Sequence, residues 1–379
     1  MENRLILAFV LSLAVFVGWG YFLAQIQGPP PVKEPGMEDS FESARSLPPE
    51  SRAPGSMPSV SAPSEPTQPT TQVPVDPFPG KEVLIQVSTG KTHFVISNRG
   101  GVIKQLQLPR FNDDSGEIID LIDNPDHLTP ALALRANDPE VTAILQHAHY
   151  EPSTTSIVLS EHNPEGRLTM TLNHSSGLQV TRTYVFHFND YMVEMGIQIS
   201  AAAMASRNLQ YQVLLGPGMG GKISSQTDYI VFSGATVFAN NERIENPPED
   251  INNTSYFKGD LQWVAFQNKY FGSALIPQQG TKSGLVFKEE DEVFVGLKFE
   301  SVQSAASAQI LFYGGTKELE ILEDKGHHLV RMIDYGWFGN KFAFLVKPLL
   351  KVLAFFYNLT GNYGWSIIFM TFCIKILFF

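Results

Sequence analysis

The chain holds a single cysteine in 379 residues, Cys373, so it can build neither a disulfide framework nor a thiolate metal site, and that scarcity does not settle its compartment. Positive charge is also in short supply. Lys and Arg total 27 against 38 Asp and Glu, a net charge of −11 with a pI near 5.3, which argues against nucleic acid as the main partner. No internal repeat is evident by eye. Motifs for nucleotides and metals are missing in their complete form. Gly216-Pro217-Gly218-Met219-Gly220-Gly221-Lys222 fits GxGxxG and nearly fits a phosphate-binding loop, but such a loop needs a helix after it. Here Pro217 interrupts it, Ile223 replaces the Ser or Thr, and SSQTDYIVF reads as a turn and then a strand, so the plain reading is a glycine loop between strands. His147 and His149 could share one face of a strand, yet no third ligand stands at motif spacing, and His327-His328 has the same weakness. No metal and no cofactor is expected.

What is present begins with length and apolar content. A chain of 379 residues that is 43% hydrophobic has room for two or more domains and a large core. Leu5 to Ala24 is twenty residues without a charge, long enough to span a bilayer, and reads as an uncleaved anchor over residues 1–27 in preference to a signal peptide. Residues 28–80 carry 14 of the 25 prolines, mixed with Ser, Thr, Gln and Gly, and predict an extended, mobile tether.

From Lys81 to Ile333 the texture becomes short alternating segments. Leu168, Met170 and Leu172 alternate with Thr169 and Thr171, and Tyr191, Val193, Met195, Ile197 and Ile199 with Glu194 and Gln198. Many such segments, separated by turn signals such as Asn98-Arg99-Gly100-Gly101, predict a mainly β domain with a large antiparallel sandwich. Helical texture is read only late, in Lys317 to Asp324 and just before Asp334.

The last stretch is the most informative. On a helix, Phe342, Leu345, Leu349, Val352, Leu353 and Phe356 fall within roughly 100° of arc, with Lys347 and Lys351 opposite. That pattern suits a helix lying in a membrane interface over 334–361, although a core helix of a soluble domain would give the same stripe. Gly361-Asn362-Tyr363-Gly364 signals a turn, Tyr363 and Trp365 suit the interfacial aromatic belt, and residues 362–379 begin a second apolar span. Counting about 1.5 Å per residue from Trp365 puts Lys375 roughly 15 Å deep, where a charge costs about 3 kcal/mol. Such a residue faces protein or a watery cavity, or else snorkels to an interface.

Asp334-Tyr335-Gly336-Trp337, the lysine-bearing amphipathic helix and GNYGWSIIFMTFCIK together resemble the entry into the core of the YidC-type bacterial membrane protein insertases. ISNRGGVIKQLQLPRF at 96–111 and WVAFQNKYFGSALIP at 263–277 resemble two strand pairs of that family's periplasmic domain, and the MENR start resembles its first span. The resemblance implies a galactose-mutarotase-like β-supersandwich over 81–333 in the periplasm, flanked by transmembrane helices in the inner membrane, with further spans beyond Phe379. It implies a non-enzymatic insertase and chaperone with a hydrophilic groove, where Lys375 stands at the position usually held by arginine. The implied partners are nascent inner-membrane proteins, the lipid bilayer and the Sec translocon (SecYEG with SecDF); nothing in this stretch supports a ribosome contact. The alternative is a membrane-anchored periplasmic domain that binds or epimerises a sugar, with Glu194 and His187 as acid and base and Trp263 as a stacking platform.

Overall fold

Segments of alternating character fold as strands whose apolar parity points inward. In Glu165–Asn173 the buried side chains are Leu168, Met170 and Leu172, and in Met192–Ser200 Met195, Ile197 and Ile199 are buried while Glu194 and Gln198 are exposed. Alternation of this kind fits a sheet with one face on a core and one in water. The computed structural model describes residues 78, 80–113, 115–122, 129–201, 208–216, 232–289, 291–299, 301–302, 305–334 and 343–378. The anchor expected over 1–27, the tether over 28–80 apart from residues 78 and 80, loop residues 217–222 and Tyr335-Gly336-Trp337 lie outside them.

The described strands form three sheets. Sheet one runs β4 (Ile118–Asp120), β3 (Ile103–Asn112), β2 (His93–Ser97), β1 (Leu84–Ser88), β7 (Ser156–Val158). Sheet two is ten-stranded. Its path is β13 (Glu242–Asn246), β12 (Gly234–Ala239), β15 (Leu261–Gln267), β16 (Phe271–Gln279), β20 (Ala305–Thr316), β10 (Met192–Ser200), β9 (Gln179–His187), β8 (Glu165–Asn173), β6 (Glu151–Pro152), with β19 (Ser301–Val302) beside β20. Sheet three runs β14 (Ser255–Phe257), β17 (Thr281–Glu289), β18 (Glu292–Phe299), β11 (Tyr211–Leu215), β5 (Leu134–Ala136). Every described ladder is antiparallel except β1 with β7, where Gln86 pairs with Ser156 in parallel register. The expected mainly β, antiparallel architecture is the one observed.

One apolar core joins the three sheets, with Ile85 of sheet one, Tyr184 of sheet two and Val295 of sheet three in the same buried cluster. Phe94 meets Phe186 at 5.4 Å between centroids, linking sheets one and two. Sheet three approaches so closely at Gly284 that a Cβ there would come within 2.7 Å of Val264 Cγ1.

A helix the sequence reading passed over, α1 (Pro139–His147), is set by its own first turn. The Asp138 carboxylate accepts from the backbone N–H of Glu140 at 2.9 Å and of Val141 at 3.2 Å, and Pro139 begins the helix where a missing N–H costs nothing. His147 therefore ends a helix while His149 forms an isolated bridge with Arg99, and the two do not share a strand face. The late helical texture appears as α2 (Leu319–Lys325) and a 3-10 turn at Leu329–Met332, whose Leu322, Leu329 and Met332 are fully buried.

Candidate functional site

Beyond the β domain the chain forms α3 (Ala343–Thr360) and α4 (Tyr363–Phe378). Of the interfacial helix expected over 334–361, residues 343–360 form α3, and 335–342 lie outside the described residues. Gly361, with φ of 64°, takes the left-handed conformation that ends α3 without a Cβ penalty, and its N–H donates to Tyr357 O at 2.7 Å. Asn362 then opens α4, its Oδ1 accepting from Gly364 N at 2.8 Å. Thr360 Oγ1 and Ser366 Oγ lie 3.1 Å apart, and the Ser366 hydroxyl also donates to Asn362 O at 2.8 Å, so the turn's polar groups are satisfied internally.

The two helices fold back on one another through aromatic rings. Tyr357 stacks on Tyr363 at 4.1 Å beside the turn, and Phe356 stacks on Phe369 at 5.7 Å further along. Leu349, Leu353 and Phe356 are half-buried, so part of the arc read as a lipid-facing stripe is directed toward α4 instead, at Phe356. The outer surface is apolar too. Phe355 is 64% exposed, Leu359 73%, Trp365 58%, Phe372 62% and Ile376 65%, and Val352, Tyr363, Ile367 and Ile368 join them. Eleven of the 16 large exposed hydrophobic residues of the described chain sit on these two helices, which makes them a contiguous apolar surface of the kind that marks a partner or a membrane.

Charge on the hairpin is sparse and placed at its edges. Lys351 is exposed and pairs with Glu323 of α2 at 3.2 Å, which ties the hairpin to the end of the β domain. The side chain of Lys347 lies outside the described residues. Lys375 sits exposed in the last turn of α4 and has no hydrogen bond or ion pair among the described residues. Among them no helix is both long and apolar enough to cross a membrane. α3 carries Lys347, Pro348 and Lys351, and α4 with 16 residues reaches about 24 Å, short of a hydrocarbon core about 30 Å thick.

The sugar-site residues are only partly brought together. His187 Nε2 lies 3.3 Å from Glu194 Oε1 on neighbouring strands β9 and β10, in the open on the solvent face of sheet two. Trp263 is fully buried and stacks on Phe238 at 5.6 Å, so it offers no platform. His328 is likewise occupied as a ring contact of Phe238 at 5.6 Å.

Comparison with known proteins adds a family. The model of the YidC periplasmic domain matches residues 84–352. Membrane protein insertase YidC of Pelobacter propionicus is 27% identical over all of this chain and 67% of its own length, and that of Geobacter metallireducens is 27% identical over all of this chain and 68% of its own. The Geobacter sulfurreducens protein of the same name is 29% identical over 75% of this chain and 53% of its own length. Similar solved structures include the Slr1438 protein of Synechocystis, with a TM-score of 0.41 and 8% identity over 64% of this chain and 99% of that one. A galactose mutarotase related enzyme of Lactobacillus acidophilus aligns with a TM-score of 0.40 and 7% identity over 61% of this chain and 97% of that one.

Proposed function

This chain belongs to the YidC family of membrane protein insertases, and from that premise we propose that it inserts and helps to fold proteins of the bacterial inner membrane. In this reading residues 1–27 anchor the chain, 28–80 are a tether, the β domain over 81–333 stands in the periplasm, and α3 and α4 meet the bilayer. The observation that carries it is the exposed apolar surface of α3 and α4, rich in aromatics, placed where the β domain ends. Left in water, that surface would be a standing invitation to aggregate; against acyl chains each buried CH₂ is favourable by about 0.8 kcal/mol.

The same arithmetic supplies the driving force for a client. Partition of an apolar segment into lipid is downhill, so no nucleotide is needed, and what opposes insertion is the polar flank that must cross. Lys375 provides a cation about ten residues past the interfacial Trp365, where a hydrated groove lowers the cost of an acidic flank. In this reading clients are inserted by the protein alone or together with the Sec translocon.

Environment-sensitive labels test the membrane reading in the full chain reconstituted in vesicles. Labels at Phe355 and Phe372 are expected to report acyl chains, a label at Lys351 headgroups or water. Quenching by lipid at Lys351 with none at Phe355 and Phe372 would turn the hairpin over and end the assignment.

A carbohydrate-binding reading rests on the His187–Glu194 pair alone. With Trp263 sealed in the core, the purified chain is expected to bind no aldose and to leave anomer ratios unchanged. Saturable binding lost on Glu194→Gln would promote that reading over the insertase.

A further inference from the structure

A cleft of about 380 Å³ opens where the ends of three strand connections meet, and the activity described so far makes no use of it. Its walls are Phe111 at the end of β3, Ile119 of β4, and Tyr270 and Phe271 at the turn between β15 and β16, with Phe111 and Phe271 edge to face at 5.5 Å. Both signs of charge line it. Lys269 and Lys317 supply two cations, Asp113 and Glu318 two carboxylates.

Some of its polar groups are under-used, although Asp113 Oδ1 already accepts from Ser115 N at 2.9 Å, Ser115 Oγ at 2.6 Å and Glu117 N at 3.0 Å. Lys317 is nearly buried and donates one hydrogen bond, to Asn268 O at 2.9 Å, leaving two ammonium N–H groups without an acceptor among the described residues. Thr316 is 3% exposed, and its Oγ1 lies beside the Tyr191 hydroxyl without a hydrogen bond of full geometry. Glu318 stands at the start of α2 without capping it through its side chain. Burial pulls Lys317 down to about 8, aided by Arg243 and opposed by Asp334 and Glu245, so an anion beside it would restore an ordinary ammonium. A buried cation with two unmet N–H groups and a buried hydroxyl without a well-formed hydrogen bond are costly unless something else meets them.

We propose that this cleft holds the head of a zwitterionic phospholipid, its phosphate on Lys317, Lys269 and the Thr316 hydroxyl and its primary ammonium on Glu318 and Asp113. A ligand of one sign would meet repulsion from half of these charges, whereas a phosphate joined by two carbons to an ammonium meets both pairs. Position favours a lipid over a soluble metabolite. From Glu318 to Glu323 is five residues of α2, about 7.5 Å, and Glu323 pairs with Lys351 of α3, so the cleft opens close to the helix assigned to the headgroup layer. The proposal rests on that assignment, and its test separates the two.

The test titrates the full chain in detergent with soluble glycerophosphoethanolamine, glycerophosphocholine, inorganic phosphate and an acidic Glu-Leu peptide, and then repeats the titration with vesicles of phosphatidylethanolamine or phosphatidylcholine. Glycerophosphoethanolamine is expected to bind at least tenfold tighter than the choline analogue, whose quaternary nitrogen donates no hydrogen bond. Glu318→Gln, at an exposed position, is expected to erase that preference. Thr316→Val and Lys317→Met are expected to weaken the phosphate arm at least tenfold. Equal binding of the two head analogues, equal binding of inorganic phosphate, or binding of the peptide in their place overturns the proposal even if vesicles are bound. Selective head binding in solution without vesicle association keeps the cleft and overturns the membrane assignment of the hairpin.

Discussion

Replacing Arg182 with alanine is expected to destabilise the β domain by about 3–5 kcal/mol, a large share of the 5–15 kcal/mol that holds a typical domain folded. Arg182 is fully buried on β9 of sheet two. Its Nη1 donates to Gly100 O at 2.9 Å, in the turn between β2 and β3 of sheet one, and its Nη2 donates to Leu132 O at 2.7 Å, just before β5 of sheet three. One side chain thus bonds the backbones beside all three sheets. The turn it holds is secured again by Tyr184, whose hydroxyl donates to Gly101 O at 3.0 Å, while the guanidinium lies over the Tyr184 ring at 5.6 Å. Leu132 has φ of 64°, a strained conformation for a leucine that persists only where its surroundings insist on it. Alanine would leave two buried carbonyls unpaired and a cavity between the sheets. Arg182→Lys keeps the charge and loses the fork, so it should reach only one of the two carbonyls and fall between wild type and alanine. Urea unfolding of the full chain in detergent, followed at the buried tryptophan, measures the difference; a loss below about 1 kcal/mol for Arg182→Ala would show that the three sheets hold together without this residue.

Much of this was open to a reader of the sequence, and the parts that were not have physical reasons. The parity of QVTRTYVFH already places Arg182 on the same side as Val180, Tyr184 and Phe186, all buried, so the inward charge was there to be found. Trp263 offers no such signal. In β15 the run from Trp263 to Gln267 is buried on both faces, because sheet three covers one side of it, and a continuous run carries no parity to say which way a ring points. α1 escaped because its nine residues are too few to establish a period, although Asp138 and Pro139 spell out its start. In the hairpin, the ends of both helices follow from Gly361 and Asn362, which act locally. The division of α3 into a side facing α4 and a side facing outward does not follow, because α4 is apolar all round and the stripe on α3 fits lipid and a neighbouring helix equally well.

Charge reversal at Lys375 is expected to have the largest effect on function. α4 is apolar except for small hydroxyl residues and this one lysine, which is exposed near its end with no partner among the described residues. A cation kept without a partner at mid-membrane depth is a steady cost of about 3 kcal/mol unless water or a client meets it. At an effective dielectric of about 20 a unit charge 8 Å from an acidic side chain is worth roughly 2 kcal/mol, so exchanging attraction for repulsion changes the balance by about 4 kcal/mol. Water in the proposed groove would screen part of that, and a fall in insertion of at least tenfold for clients with acidic translocated flanks is the expected result of Lys375→Glu. Strongly apolar clients, whose partition alone is favourable, should suffer less. Attraction at this distance needs charge and not fork geometry, so Lys375→Arg should keep activity and Lys375→Ala should lose the acidic clients selectively. Each variant is introduced into the gene in a depletion strain, and insertion of both client kinds is followed by protease accessibility of their flanks. If Lys375→Ala and Lys375→Glu match wild type on both, the lysine only reaches back toward an interface, and the proposed groove does not work through its charge.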